Sequence, residues 1–388
     1  MRIAYLIASF PALSETFISR EIVNLRSLGL DIHVFAFSQP DTNGNDDLQV
    51  LSEKVHYIGR TEASIALLRY VIRPPSEVAF LNHQLQKQST RPANPYLRLG
   101  RAYAVAKKAQ QFGIDHIHAH WPYASIVAAL VNKIIGIPYS ISIHAHEVAH
   151  ENGHFPLIFE SLKFAVFCNR AAMEYLLREL PQLCRAKSNL VYHGVDTKTF
   201  APTPLPAPFS PLQIISAGRL THTKGFERLI AGCIKAQHMG IEVELTILGS
   251  GGRYDSLKHE ARGLRLKIPG WVPHSQVRDY LAQAHLFALL ADDTYHDGLP
   301  NVVLEAMACG RPVILSPIPA APEIVEDGRE GFILGAPDDI DGFVDLLRLC
   351  AERPDRLVAM GQAARERVVA EHSEVDHIQR LAALFGQR

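Results

Sequence analysis

The sequence predicts an α/β protein of two Rossmann-like domains. Three observations predict it. Strand-like apolar runs alternate with helix-period segments in both halves, a proline-rich stretch divides the halves, and the 388 residues exceed one typical domain of roughly 150.

Taken in order, Arg2 to Ala8 reads as a short buried strand. Glu15 to Leu28 carries apolar residues at helical spacing before Gly29, and Asp31 to Phe37 returns to strand character. The same β-α-β alternation recurs at Asp115 to Ala119, Ser125 to Ile135 and Tyr139 to His144, which implies a parallel sheet covered by helices. The run Ala201 to Pro211 holds five prolines, which prevent regular helix and disfavour a central strand, so it reads as an interdomain linker. Beyond it, Gln213 to Ala217, Glu242 to Leu248, Leu286 to Leu290 and Pro312 to Ser316 read as strands, with Phe226 to Gln237 as a helix. The expected domains are 1–200 and 201–371, with a terminal helix over about 372–388 packing back on the first. Two such domains facing one another make a cleft.

Composition narrows the function. With 39 Lys+Arg against 40 Asp+Glu the net charge is -1, which excludes a whole-protein electrostatic field for nucleic acid, so no nucleic-acid partner is expected. The five cysteines are widely spaced and form no Cys-x-x-Cys pair, which fits a reducing compartment. The apolar run Ile3 to Phe10 is too short for a membrane span and lacks a signal-peptide pattern, so a cytoplasmic protein is expected. One region departs from the even charge. Between Arg60 and Lys108 stand nine cations, including Lys87, Arg98, Arg101 and Lys107, against Glu62 and Glu77 alone. Such a stretch reads as a solvated helical face or as peripheral contact with an anionic membrane at its inner face.

Two loops in the second half carry the chemistry. Gly218-Arg219-Leu220-Thr221-His222-Thr223-Lys224-Gly225 follows a strand and precedes a helix, where a phosphate would sit. Gly218 allows close backbone approach, while Arg219 and Lys224 supply two cations to a diphosphate. A solvated basic loop would read alike. The second loop is His296-Asp297-Gly298-Leu299-Pro300-Asn301-Val302-Val303-Leu304-Glu305, with carboxylates eight positions apart. Asp297 would meet a sugar hydroxyl and Glu305, about two turns into the next helix, a ribose. The N–H groups of Asn301, Val302 and Val303 form a helix start suited to phosphate oxygens. The alternative is a helix cap followed by a surface Glu.

Together with Leu248-Gly249-Ser250-Gly251 and Gly270-Trp271-Val272-Pro273, these loops resemble the donor domain of the family 4 (group 1) retaining glycosyltransferases of GT-B fold. Phe10-Pro11-x-x-Ser14-Glu15-Thr16-Phe17, His118-Ala119-His120-Trp121 and His193-Gly194-Val195-Asp196 are similar to the subgroup making colanic-acid-type exopolysaccharides. The resemblance implies a hexosyltransferase that uses a nucleotide diphosphate sugar, UDP preferred over GDP, and a glycan or lipid-linked glycan acceptor. It implies no cofactor and no metal. Gly218, Gly249, Trp271, Val272, Gly298, Leu299, Asn301, Val302, Val303 and Glu305 would bind the donor. His144, Arg219, Lys224 and Asp297 would serve the transfer. At Asp297 the family usually has Glu, one methylene longer.

Other readings compete. A nucleotide-sugar epimerase or a catalytically silent nucleotide-sugar binder would use the same fold. His146-Glu147-Val148-Ala149-His150 matches the zinc-hydrolase H-E-x-x-H, but it begins at a strand end, whereas that motif needs a helix. His116, His118 and His120 fall on one side of a strand, as a metal site or as a polar strand terminus.

Overall fold

Strands buried on both faces build both halves of the molecule. In β1 (Arg2–Ser9) the residues Ile3 to Ile7 are fully buried, the pattern of a parallel strand sandwiched between helices. The computed structural model describes residues 1–12, 15–40, 53–70, 75–87, 94–144, 152–292 and 298–386. It divides into two compact units, Met1–Val191 with Arg380–Arg388, and Tyr192–Gln379. Among the described residues no helix is long and apolar enough to cross a membrane.

The first unit continues through β2 (Asp31–Ser38), β3 (Val55–Tyr57), β4 (His116–His120), β5 (Tyr139–Ile143), β6 (Phe164–Phe167) and β7 (Ser188–Leu190). They form one parallel sheet in the order β3-β2-β1-β4-β5-β6-β7. Its helices have explicit ends. Helix Pro95–Phe112 starts with Asn94 accepting from the Tyr96 and Leu97 N–H groups and stops at Gly113, whose φ of 62° closes the last turn. Helix Glu374–Gly386 brings Phe385 into this unit's core, its ring 5.2 Å from His118 and 5.7 Å from Phe164.

The second unit comprises β8 (Leu212–Ala217), β9 (Val243–Leu248), β10 (Arg265–Gly270), β11 (Leu286–Leu289), β12 (Val313–Leu315) and β13 (Gly331–Ile333), ordered β10-β9-β8-β11-β12-β13 and all parallel. Alternate residues feed opposite faces. Ile214, Leu286 and Ala288 pack in one core while Ile215, Phe287 and Leu289 pack in the other, the two-residue period of a strand.

The proline-rich stretch is not a connection between units; the chain passes between them at Val191–Tyr192 and again at Gln379–Arg380. It belongs to the second unit because buried groups hold its carbonyls. His285 Nε2 donates to Pro206 O at 2.9 Å, and fully buried Arg311 donates to Thr203 O at 2.7 Å. Missing proline N–H groups remove donors, yet the carbonyls remain strong acceptors that an internal cation satisfies.

Candidate functional site

In the second sheet, successive strands run from β8 to β10 on one side and from β11 to β13 on the other, so the chain reverses between β8 and β11. Such a switch point opens a crevice at the strand C-termini, where ligands of α/β sheets bind. The loops after these two strands are stitched together. Asp292 N–H donates to Thr223 O at 2.9 Å, Arg228 Nη2 donates to Asp292 Oδ2 at 2.9 Å, and Arg228 Nη1 donates to Leu290 O at 3.2 Å. Arg228 and Asp292 were not singled out from sequence, because nothing marks a pair separated by so much chain.

Close backbone approach explains the glycines. Gly249, at φ 141°, follows β9 directly and lies against the Gly218 carbonyl, and a Cβ there would overlap that oxygen. Gly225, at φ 64°, lies equally tight against Leu290 O. Leu220 N–H donates to Ser250 O at 2.9 Å, which seats the loop over the end of β9. The Lys224 stem lies over Gly218, and Arg219 is exposed. The structure therefore brings Gly218, Arg219, Lys224 and Gly249 into one cationic loop cluster.

Helix Asn301–Ala308 starts after Pro300 with no side-chain cap. Its Val303 N–H donates to Pro300 O at 2.9 Å and the side chain is fully buried, so Val303 offers a phosphate nothing, contrary to expectation. The N–H groups of Asn301 and Val302 are the helix-start donors that remain. Asn301 is oriented by His193, Nδ1 to Oδ1 3.1 Å. Gly298 is partly exposed and Leu299 is buried. Glu305 is not a surface residue. It is buried, and His274 Nε2 lies 2.8 Å from its Oε1. His274 follows Trp271, Val272 and Pro273, of which Trp271 is exposed and Val272 packs against the core. Its position just after the Gly-Trp-Val-Pro element is the one signal that could have marked it. Asp297 lies outside the described residues, as do Ser14 and the whole His146–His150 segment.

In the first unit His144 directly follows β5 and is buried among aromatic rings: Trp121 at 4.5 Å, Phe17 at 5.1 Å and His120 at 5.4 Å between centroids. Those neighbours come from the two other motifs of that half, so the Phe-Pro-x-x-Ser-Glu-Thr-Phe and His-Ala-His-Trp segments converge on His144. Trp121 is held at φ 71°, a rarely populated conformation for a residue with a Cβ. His116, His118 and His120 are buried in the sheet core rather than forming a polar strand terminus. Ser140 Oγ lies 2.7 Å from His116 Nε2 and 2.7 Å from His118 Nδ1. Burial pushes the His116 imidazole down to about 3 and lowers His118 well below its usual range, so both stay neutral.

Two family models divide this chain between them: Glycosyltransferase Family 4 over residues 14–199 and Glycosyl transferases group 1 over residues 199–367. The chain belongs to the family 4 glycosyltransferases. Like others of the family, this glycosyltransferase depends on a nucleotide-sugar donor. It is 26% identical, over 99% of both chains, to the amylovoran biosynthesis glycosyltransferase AmsK of Erwinia amylovora. The identity is again 26% over 99% of both for the putative colanic acid biosynthesis glycosyltransferase WcaL of Escherichia coli K12. Solved structures similar to the glycosyltransferase include Anabaena Alr3699/HepE in complex with UDP and glucose, with TM-score 0.76 and 17% identity over 100% of each chain. Sucrose-phosphate synthase from Thermosynechococcus elongatus has TM-score 0.75 and 18% identity over 100% of this chain and 98% of that one. These likenesses establish the GT-B fold.

Three cations of the glycosyltransferase's basic stretch are engaged by its own fold. Arg98 is fully buried, donating to Asn82 Oδ1 at 2.8 Å and Asn82 O at 2.9 Å. Arg101 donates to Tyr123 Oη at 3.0 Å and covers the Phe37 ring, while Lys108 pairs with Glu62 at 3.2 Å. Arg98 and Arg101 are therefore structural and not membrane-facing cations. Arg60, Lys87 and Lys107 are the exposed ones among the described residues.

Proposed function

We propose that this glycosyltransferase moves a hexose, with retention of configuration, from a UDP-sugar to a hydroxyl of a glycan or lipid-linked glycan in bacterial exopolysaccharide synthesis. The observation that carries the reading is the stitched pair of loops at the β8/β11 switch point, which puts Arg219 and Lys224 on a loop joined to the one leading into helix Asn301–Ala308. The relatives named for amylovoran and colanic acid support the polysaccharide setting, and the UDP bound in the Anabaena structure supports the choice of base.

As the glycosidic bond breaks, negative charge grows on the departing diphosphate. Arg219, Lys224 and the Asn301 and Val302 N–H groups stabilise it, doing with fixed donors what a divalent cation does elsewhere. Glu305, steadied by His274, accepts hydrogen bonds from the ribose hydroxyls. Trp271 and Val272 flank the base, and Gly298 and Leu299 line the approach to the diphosphate. Asp297 binds the donor sugar, and His144 hydrogen-bonds the sugar in the transition state. The acceptor attacks from the face the leaving group vacates, assisted by the leaving phosphate. The first unit takes the acceptor and the second the donor.

A thermal-shift panel of UDP, GDP, ADP and their sugars tests the donor, since a selective ligand raises Tm by mass action. Product analysis with donor alone and with donor plus acceptor tests the reaction. Acceptor-independent rearrangement would mean an epimerase, and tight binding without turnover a silent binder. The enzyme works in the cytoplasm at the inner membrane face, reached through the exposed Arg60, Lys87 and Lys107, which share their stretch of sequence with the exposed Leu68, Phe80 and Tyr96. Sedimentation with anionic vesicles at low salt decides this. No binding, or binding unaffected by replacing those three cations, rejects it.

A further inference from the structure

The residues on either side of Lys224 are gripped by the short segment 290–292 that follows β11. On one side Asp292 N–H donates to Thr223 O at 2.9 Å. On the other, Gly225 lies so close to Leu290 O that a Cβ would stand 1.7 Å from that oxygen. Arg228, in the first turn of helix Phe226–His238, holds this segment at both ends. Its Nη1 donates to Leu290 O at 3.2 Å and its Nη2 to Asp292 Oδ2 at 2.9 Å. Nη1 also packs beside Gly225, 3.3 Å from where a Cβ would be.

A helical side chain leans toward the N-terminus of its helix, which aims Arg228 back at the loop it follows. Its planar guanidinium carries two terminal nitrogens in fixed relation and bridges acceptors two residues apart. A lysine ammonium offers a single nitrogen on a flexible stem and cannot span both. With 23% and 25% of the two side chains exposed, water screens the Arg228–Asp292 pair less than it screens a surface ion pair. Both terminal nitrogens bind protein acceptors, which separates Arg228 from the exposed Arg219.

We propose that Arg228 is a positioning residue for the transfer: by fixing segment 290–292 it fixes the backbone on both sides of Lys224, and so where the Lys224 ammonium stands as charge grows on the departing diphosphate. This rests on the reading of Lys224 as a cation for that diphosphate. The loop itself has a single 3-10 turn, His222–Lys224, to stiffen it, so its shape is set from outside. Fixed charge stabilises a transition state because it needs no reorganisation at the moment of reaction, and a lysine supplies that only when its flexible stem starts from a held backbone. The stem also rests on Gly218, with Cδ 3.5 Å from where a Cβ would be, so a shift of residues 223–225 would move the stem across that contact.

The test joins amide exchange to a double-mutant cycle, both on the full chain. In the wild type without donor, peptides spanning 218–225 and 290–292 should be protected from exchange, and Arg228→Lys should make both exchange faster. Arg228→Lys keeps the charge and loses the fork, and should lower kcat/KM by at least about tenfold. A cation that met the phosphate directly would be rescued by lysine. In a Lys224→Ala background the same change should cost less than about threefold, because the residue it positions is gone. A merely structural arginine would lower Tm and give additive losses in the two backgrounds. Additive losses, an Arg228→Lys enzyme as active as the wild type, or wild-type exchange of 290–292 at unfolded-chain rates overturns the proposal, and the last needs no variant to fold. A fully active Lys224→Ala enzyme whose loop is still loosened by Arg228→Lys would instead remove the reading of Lys224 on which the role depends.

Discussion

Partly exposed His274 is paired with buried Glu305, with Nε2 to Oε1 at 2.8 Å and Glu305 5% exposed. The carboxylate proposed to bind the ribose hydroxyls is thereby held in one orientation before the donor arrives. Removing the imidazole leaves a buried charge short of a partner, a loss of about 1.5–3 kcal/mol for a hydrogen bond to a charged group. His274→Ala is expected to raise the donor KM roughly ten- to a hundredfold while kcat changes less, read from steady-state kinetics with donor varied. An unchanged KM would separate Glu305 from donor binding.

On the proposed reading, Arg219 and Lys224 act where charge develops in the transition state. Alanine at either position is expected to lower kcat/KM by about a hundredfold or more. Wild-type activity should survive chelator if, as proposed, these cations do the work of a metal. Fully active alanine variants, or an enzyme silenced by chelator, would reject this account.

Alternation of strands and helices was legible because burial on both faces leaves continuous apolar runs, as Ile3 to Ile7 show. Long-range pairing left no such trace. His274 meets Glu305, Arg228 meets Asp292 and Arg311 reaches the proline-rich carbonyls only through the tertiary fold. Arg98 misled for the same reason. A cation in a basic stretch looks solvated until Asn82 is seen to satisfy it internally. The Val303 N–H looked available because helix starts have unsatisfied donors in general, whereas here the turn closes on Pro300 O.

The loop cluster depends on bare backbone at Gly249. A Cβ there would overlap Gly218 O, and the φ of 141° is itself unfavourable for a side chain. Gly249→Ala should lower stability by about 1–3 kcal/mol and weaken donor binding with it. Gly252→Ala is the control, since a Cβ at that position meets nothing within 4 Å. Equal Tm values for the two variants would show that the β8 and β9 loops do not need their close approach.

Each unit also buries a histidine that must stay neutral. Burial, the leading cause in both cases, pushes His116 down to about 3 and His372 down to about 4 from an ordinary value of 6.5. A depressed folded value has a definite sign. Below pH 6.5 the unfolded chain takes up protons that the native state refuses, so stability falls with pH until the folded values near 4 and 3 are reached. Each such group contributes a loss of roughly 1.4 kcal/mol per pH unit inside that window. Between pH 7 and pH 5 most carboxylates remain ionised, so the histidines dominate the slope. Calorimetry over that range should show Tm falling steadily, with a shallower slope for His116→Gln and for His372→Gln. A flat wild-type profile, or variants that keep the full slope, would show that these side chains take up protons within the folded protein.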